Sequence, residues 1–159
     1  QLQDRSMGRE YEAVVQGQMT GGGTVDEPIG RHGTQRTKMT VSPTGKEAVT
    51  HYRVLHKFPS HTYIRCKLET GRTHQIRVHM AYIGHALVGD ATYAARTRLA
   101  KGVGPELREL LATFPRQALH AKQLGLIHPV TGDYMEWQTE LPDDFEHLLT
   151  VLDDDAQAR

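Results

Sequence analysis

Residues 68–93 read LETGRTHQIRVHMAYIGHALVGDATY, and this stretch decides the fold because it runs from the end of a strand through a turn into a helix. The spacing predicts a helix over residues 74–83, with Thr73 as its N-cap and Gly84 as the C′ residue that ends it. Apolar side chains at the i, i+4 and i+7 positions predict the buried stripe of this helix: Ile76, Met80 and Ile83.

Strands are predicted before this helix, at residues 9–17, 48–58 and 62–68, where β-branched and aromatic residues are frequent. Side chains alternate in the last of these strands, so Thr62, Ile64, Cys66 and Leu68 share a face that is predicted to be core. Residues 24–44 contain many turn-forming residues and scattered basic ones, which predicts a hairpin or a mobile finger.

After residue 93, a helix is predicted from Pro105, a hairpin over residues 118–128 and 134–138, and a closing helix from Pro142. The 159 residues fit one domain. Strands and helices are mixed and hairpins connect the strands, so we predict an α+β fold with a mixed, mainly antiparallel sheet and flanking helices.

The formal net charge is zero, but the charges are unevenly distributed. Ten Lys/Arg and two Glu lie between Arg31 and Arg77, whereas nine Asp/Glu and one Arg follow residue 129. A polyanion such as RNA would bind the basic part, and the face of residues 62–68 that bears Tyr63, Arg65 and Lys67 is predicted to meet RNA or solvent. On charge alone, ordinary solvated strand faces explain the pattern equally well.

Other classes of function find little support in the composition. No apolar run is long enough to cross a bilayer, so no membrane partner is expected. Cys66 is the single cysteine, which excludes an internal disulfide and is compatible with a reducing compartment.

The histidines and arginines of residues 68–93 allow two chemical interpretations. His74, His79, His85 and Asp90 match no known metal-ligand spacing, since His74 and His79 are five residues apart and point to different sides of a helix, so no metal is expected. Arg72 and Arg77 lie near a helix start and could bind phosphate or a buried carboxylate. A surface position for Arg77 remains an alternative.

Residues 70–93, TGRTHQIRVHMAYIGHALVGDATY, resemble the signature of the RluA/RluD-type ribosomal RNA pseudouridine synthases, most closely the RluD-like group that modifies large-subunit rRNA. The resemblance implies a pseudouridine synthase fold and a cytoplasmic enzyme that uses neither cofactor nor metal. Further segments resemble the family in the same order, and they cover nearly the whole chain: REYEAVVQG (9–17), TVDEPIGRH with RTKM (24–39), GKEAVTHYRV (45–54) and ALHAKQLGLIHPVTGD (118–133).

The resemblance also implies roles for single residues. Tyr11 matches the active-site tyrosine that stacks on the target base and is a candidate for proton transfer at uracil C5. Arg77 matches the basic residue that pairs with the nucleophilic aspartate, and Leu119 matches an apolar residue that packs on the flipped uracil. Arg31, Arg36 and Lys38 match a mobile loop that binds RNA near the target. Arg72 and His74, near the start of the predicted helix, complete the predicted substrate-binding set without a match of this kind.

The chain departs from the family pattern at the nucleophile. In the family this aspartate lies in an Arg-Leu-Asp motif upstream of the segment that matches REYEAV, and no Arg-Leu-Asp occurs in this sequence. We therefore expect a partial catalytic domain that lacks the nucleophile and any S4-type domain and is inactive alone. A non-catalytic RNA-binding module is the alternative. We also expect the strand at residues 11–15 to present an unpaired edge, which would favour self-association.

Overall fold

The computed structural model describes residues 8–35, 37–94, 102–127, 134–138 and 141–158, with side chains described in 10–35, 37–94, 102–121 and 141–158. The predicted α+β fold with a mainly antiparallel sheet is confirmed. The described elements are β1 Gly8–Gln16, β2 Gly23–Asp26, β3 Ile29–Arg31, β4 Met39–Val41, β5 Val49–Lys57, β6 His61–Leu68, α1 Gln75–Tyr82, α2 Pro105–Thr113, β7 Leu119–Ile127, β8 Tyr134–Gln138 and α3 Asp143–Ala158.

The main sheet has the strand order β2-β5-β6-β1-β7-β8, and its neighbouring strands are antiparallel. β1 lies inside this sheet, so Tyr11 pairs with Cys66 of β6 on one side and with Ala121 of β7 on the other. The backbone N–H of Val14 donates to the Ala118 carbonyl at 3.0 Å. The unpaired edge expected at residues 11–15 is therefore wrong, and self-association stays a prediction without that support.

Helices cover both faces of the sheet. On one face, Ala13, Ile64 and Cys66 pack against Ile76 and Met80 of α1, and all five are at most 4 % exposed. On the other face, an apolar cluster joins β1 to α2 and α3 through Val14, Leu107, Leu111, Phe145 and Leu148. Burial of a large apolar side chain contributes about 1.5–3 kcal/mol, so these two clusters supply the main stabilisation of the fold.

The face of β6 that bears Tyr63 and Arg65 differs from the prediction. The Tyr63 ring packs edge-to-face on Phe145 of α3, with centroids 6.0 Å apart. Both the Tyr63 hydroxyl and the Arg65 guanidinium donate to Glu12, whose side chain is 3 % exposed. A buried carboxylate requires such donors, so Tyr63 and Arg65 are turned toward Glu12 and are only partly exposed, whereas Lys67 of this face is exposed.

Helix α1 begins one residue later than predicted, and Thr73 is not its cap. His74 occupies the N-cap position in the left-handed region, with φ 57°, and no side chain caps the helix there. The buried Gln75 holds the preceding turn instead, because its Oε1 accepts hydrogen bonds from Thr70 Oγ1 at 2.7 Å and from the Arg72 N–H at 3.0 Å. The predicted end is confirmed at Gly84, where φ is 88°.

The hairpin predicted within residues 24–44 is confirmed as β3 and β4, which follow the edge strand β2. Ile29 is 2 % exposed and packs with Val78 of α1 and with Tyr93, so the base of the hairpin is fixed against the helix. Gly45 lies directly against this base, because a Cβ at this position would be 2.4 Å from the backbone carbon of Ile29. Only glycine fits there.

The elements after residue 101 follow the sequence pattern. Pro105 occupies the first turn of α2, whose Leu107 and Leu111 are buried, and Phe145 and Leu148 are buried in α3. The predicted turn of the last hairpin, residues 129–133, lies outside the described residues. In the described part of the chain, none of the helices is both long and apolar enough to span a membrane.

Candidate functional site

Tyr11 and Leu119 lie on the face of the sheet that α1 covers. Leu119 pairs with Ala13 across β1 and β7, and Tyr11 pairs with Ala121, so Tyr11 and Leu119 are diagonal neighbours on one face. Both are partly buried against the apolar cluster that contains Ile76 and Met80. Two residues that the sequence analysis assigned to base binding therefore share a surface that is apolar and bears an aromatic hydroxyl.

Cys66 lies beside Tyr11 in this face, and it is not a candidate nucleophile. Its side chain is fully buried, and burial raises the pKa of the thiol to about 12. A thiol with this pKa remains protonated near neutral pH and is chemically inert. Cys66 is therefore a core residue, and covalent chemistry at this face would need another group.

Arg77 pairs with a buried carboxylate, which decides between the two positions left open for it. Its Nε and Nη2 each donate to one carboxylate oxygen of Asp90, both at 3.0 Å. The side chain of Asp90 is fully buried and that of Arg77 is 13 % exposed. Arg77 follows Ile76 and lies one helical turn from Met80, and both of these residues belong to the apolar cluster on which Tyr11 and Leu119 pack.

Tyr93 connects this ion pair to the β3–β4 hairpin. The Arg77 guanidinium carbon lies 4.9 Å from the centroid of the Tyr93 ring, and Lys38 Nζ lies 5.8 Å from it. The Tyr93 hydroxyl accepts the Met39 backbone N–H at 3.0 Å and is 2.7 Å from Nδ1 of His74. The sequence did not single out Tyr93, and it gave no role in this cluster to Asp90, which matches neither a metal-ligand spacing nor the motif of the nucleophile.

His74 is neutral in this cluster. Burial lowers its pKa, and the nearby charge of Arg77 lowers it further, against a smaller opposite effect of Asp90. The Tyr93 hydroxyl group accepts the Met39 N–H and shares a second hydrogen bond with Nδ1 of His74. One ring nitrogen of His74, Nδ1, is thus occupied by a protein group.

A basic cleft of about 470 Å³ opens between the β3–β4 hairpin and the turn that precedes α1. It brings together Arg31 and Arg72, which were both predicted to bind substrate, and adds Lys46, which the sequence analysis did not assign. The Nε of Arg72 donates to the Glu47 carbonyl at 2.7 Å, which fixes this guanidinium group. The remaining lining residues are small or apolar: Ile29, Gly30, Met39, Thr44, Gly45, Gly71 and Thr73.

The substrate-binding residues predicted from sequence thus fall into two groups. Arg31 and Arg72 line the basic cleft, whereas Lys38 and His74 belong to the cluster around Tyr93. Arg36 lies outside the described residues.

The side chains considered for a metal site each bind another protein group. His79 bonds to Thr50 Oγ1 and to the Glu27 carbonyl, and His85 bonds to the Gln16 carbonyl, all at 2.8 Å. In the part of the chain that the structure describes, no cluster of three or more His, Cys, Asp or Glu side chains could hold a metal ion.

Known proteins resemble this chain over nearly its whole length. A family model described as RNA pseudouridylate synthase matches residues 1–82. The "Ribosomal large subunit pseudouridine synthase D" of Vibrio cholerae is 56% identical over 156 residues, which are 98% of this chain and 48% of that protein. The protein of the same name from Pseudomonas aeruginosa is 57% identical over 158 residues, 99% of this chain and 49% of that protein. The chain therefore spans about half the length of the curated relatives that it matches.

Solved structures of two human proteins share the architecture. "Human RNA Pseudouridylate Synthase Domain Containing 4" superposes with a TM-score of 0.74 at 26% identity, and the match covers 94% of this chain and 63% of the human chain. "Human RNA Pseudouridylate Synthase Domain Containing 1" superposes with a TM-score of 0.71 at 27% identity, and the match covers 97% of this chain and 66% of the human chain.

Proposed function

The chain belongs to the RNA pseudouridylate synthase family, and on that premise we propose that it forms the base-binding part of the catalytic domain of an enzyme that isomerises uridines in large-subunit rRNA. The observation that carries this proposal is the shared face of Tyr11 and Leu119, which packs on the apolar cluster that contains Ile76, the neighbour of Arg77 in α1. The names of the relatives, which are ribosomal large subunit pseudouridine synthases, support the choice of substrate. Because that substrate is ribosomal RNA, we also propose that the enzyme acts in the cytoplasm.

The proposed reaction is an isomerisation, so its atoms balance without a second substrate. The bond between uracil N1 and the ribose C1′ breaks, and a bond between uracil C5 and C1′ forms, while a proton leaves C5 and one is taken up at N1. No electrons are gained or lost, and we propose that no cofactor or metal takes part. In this scheme the uridine is flipped out of the RNA and its base lies on Leu119 and Tyr11, and Tyr11 is the candidate for proton transfer at C5.

The nucleophilic carboxylate is the group that these 159 residues do not identify. Asp90 does not match it in sequence, and its side chain is fully buried and paired with Arg77. We propose that the carboxylate of the family's Arg-Leu-Asp motif is supplied from outside this sequence and approaches Arg77. Arginine can bind two carboxylates through different edges of its guanidinium group, so the pairing with Asp90 is compatible with this role.

The basic cleft is the proposed contact for the RNA backbone beside the target uridine. Arg31, Lys46 and Arg72 place three positive charges in one concave surface that is about the size of a nucleotide site. Phosphate contacts by Lys and Arg provide affinity without reading the base sequence, which suits a surface next to a flipped nucleotide. Lys38 and the β3–β4 hairpin would contact the same RNA strand.

The test is to join the chain to an upstream segment that bears the family's Arg-Leu-Asp motif and to assay unmodified large-subunit rRNA by carbodiimide primer extension. We expect the joined protein to create new stops and the 159-residue chain alone to create none, since no covalent path exists without the nucleophile. A joined protein with Asn in place of the motif's Asp is the matched control and should be inactive. Tight RNA binding by a folded joined protein that forms no pseudouridine would instead favour a non-catalytic RNA-binding module.

A further inference from the structure

Asp90 holds Arg77 through one edge of the guanidinium group. The two hydrogen bonds use Nε and Nη2, each 3.0 Å from a different carboxylate oxygen. A guanidinium group has five N–H donors, so this side-on pairing leaves both hydrogens of Nη1 and one of Nη2 for another acceptor. Among the described residues, Asp90 is the side chain that accepts hydrogen bonds from Arg77. The edge between Nη1 and Nη2 has the geometry to bind a second carboxylate with two parallel hydrogen bonds.

Asp90 is itself fixed in relation to β1. Its Oδ1 accepts the backbone N–H groups of Thr92 and Tyr93, both at 3.1 Å. Two residues before it, the Val88 N–H donates to the Val14 carbonyl at 3.0 Å. Val14 belongs to the strand that bears Tyr11, so one backbone hydrogen bond, two residues before Asp90, attaches this segment to β1.

Tyr93 limits the rotation of the guanidinium plane. The ring centroid lies 4.9 Å from the guanidinium carbon, a distance at which cation–π attraction operates. The ring cannot easily move away, because its hydroxyl group is bonded to both Met39 and His74. Arg77 is therefore held along one edge by Asp90 and across one face by Tyr93, and its orientation is set before any ligand binds.

We propose that Asp90 is a positioning residue for the reaction: it holds Arg77 by the Nε–Nη2 edge so that the Nη1–Nη2 edge is presented to the nucleophilic carboxylate. This inference rests on the proposed function, since it assigns the orientation of a residue within that site. Asp90 touches neither substrate nor nucleophile in this arrangement, and it acts through Arg77. A misplacement of about 1 Å in such a group can lower a rate by about 10²-fold.

The informative variant is Asp90→Asn, which is nearly isosteric. Its amide oxygen can still accept the N–H groups of Thr92 and Tyr93, whereas its amide nitrogen cannot accept a hydrogen bond from Arg77 Nε. In the joined protein we expect the single-turnover rate at saturating rRNA to fall about 10²-fold while the Kd for RNA changes less than twofold. Added to Arg77→Lys, which lacks the planar donors, Asp90→Asn should lower the rate no further.

The chain offers a matched control at Asp144. Arg116 binds Asp144 in the same side-on manner, with Nε 3.1 Å from Oδ2 and Nη2 2.8 Å from Oδ1, but on α3 at the opposite face of the sheet. Asp144→Asn should leave both the rate and the Kd unchanged. An Asp90→Asn rate within twofold of the unmodified protein would overturn the inference. Equal losses of rate, RNA affinity and melting temperature would also overturn it, because they would assign Asp90 a purely structural role.

A second readout keeps the inference separate from the proposed function. Arginine side-chain NMR on the 159-residue chain reports the exchange of the Arg77 Nε–H, which Arg77→Lys identifies by its loss. We expect slow exchange in the unmodified chain and in Asp144→Asn, and fast exchange in Asp90→Asn. If the joined protein forms no pseudouridine, the proposed function fails whatever this experiment gives. If the Nε–H exchanges equally in all three proteins, Asp90 does not hold Arg77 and the inference fails.

Discussion

The carboxylate of Glu12 accepts a hydrogen bond of 2.6 Å from Nη2 of Arg65, and this pair lies beneath the face of the sheet that α3 covers. Glu12 is 2 % exposed, and the Tyr63 hydroxyl is its second donor. Burial is the largest cause that raises the pKa of Tyr63, and the hydrogen bond to Glu12 raises it further, so the hydroxyl group remains protonated and the arrangement holds throughout the neutral range. Glu12, Tyr63 and Arg65 therefore form a hydrogen-bonded polar cluster at one side of the core.

Glu12→Ala is expected to destabilise the chain by about 2 kcal/mol, because it leaves a partly buried cation and a hydroxyl group without their acceptor. The value lies below that for a fully buried pair, since Arg65 is 32 % exposed and water can solvate it. Urea unfolding followed by circular dichroism measures this difference. Glu10→Ala is the matched control, because Glu10 is 3.9 Å from the same guanidinium group and more exposed, and it should cost less than about 0.5 kcal/mol. Equal losses in the two variants would contradict this account.

Tyr11→Phe is expected to lower the turnover of the joined protein by about 10²- to 10⁴-fold, the usual contribution of a general acid or base. The ring that stacks on the base is kept, so the Kd for RNA should change little. Tyr52→Phe is the matched control, because Tyr52 pairs with Cys66 from the opposite side and is packed in the same apolar cluster. A Tyr11→Phe enzyme with turnover close to normal would show that stacking, and not proton transfer, is the task of Tyr11.

The elements of this fold could be predicted from sequence because each depends on a local pattern. Alternation marked β6, the i, i+4, i+7 spacing marked α1, and Pro105 marked the start of α2. It was less predictable which side chains of a strand face the interior and which face solvent. Arg65 was expected to meet RNA or solvent, but its partner Glu12 lies 53 positions away in the chain, and no local pattern reports such a distance.

The same limit explains what was missed at the candidate site. Tyr11, Leu119 and Arg77 were identified by resemblance. The structure places Tyr11 and Leu119 on one apolar face and pairs Arg77 with Asp90. Asp90 was assessed as a metal ligand and as the nucleophile, and it matched neither pattern, whereas Tyr93 was not singled out. Asp90 acts through its contact with Arg77 of α1, and Tyr93 acts through the hydrogen bond that it accepts from the Met39 N–H of the hairpin. Both are tertiary contacts, which no local sequence pattern reports.

The basic cleft predicts a specific change in the salt dependence of RNA binding. Replacement of Arg31, Lys46 and Arg72 together by Gln should lower the slope of log K against log salt by about 2, which is about 0.7 for each lost contact to single-stranded RNA. Filter binding of a large-subunit rRNA fragment at several salt concentrations measures the slope. Arg53→Gln is the control, since Arg53 is exposed and pairs with Arg65, which places it on the face of the sheet that α3 covers and not on the face that α1 covers. A slope that the triple change leaves intact would place the RNA elsewhere.

His79 provides the last prediction, because a buried imidazole of α1 holds the segment before the β3–β4 hairpin. Its Nε2 donates to the Glu27 carbonyl at 2.8 Å, and its Nδ1 accepts from the Thr50 hydroxyl at 2.8 Å. Gln75 Nε2 in turn donates to the Thr50 oxygen at 2.9 Å. This network requires a neutral imidazole, since protonation would convert Nδ1 from an acceptor into a donor.

The pH dependence of stability follows from the direction of the pKa shift. Burial lowers the pKa of His79 in the folded chain, and the hydrogen bond to the Glu27 carbonyl only partly opposes it. The unfolded chain, with a histidine pKa of about 6.5, therefore binds the proton first as the pH falls. The contribution of His79 to stability is complete above about pH 6.5 and is lost as the pH falls from there through the folded pKa.

Urea unfolding at pH 8 and at pH 5.5 should show a smaller free energy of unfolding at the lower pH. His79→Gln should be less stable than the unmodified chain at pH 8, where it lacks only the hydrogen bonds, but should lose less between the two pH values. The same loss in both proteins would mean that His79 is not the group whose protonation opposes folding.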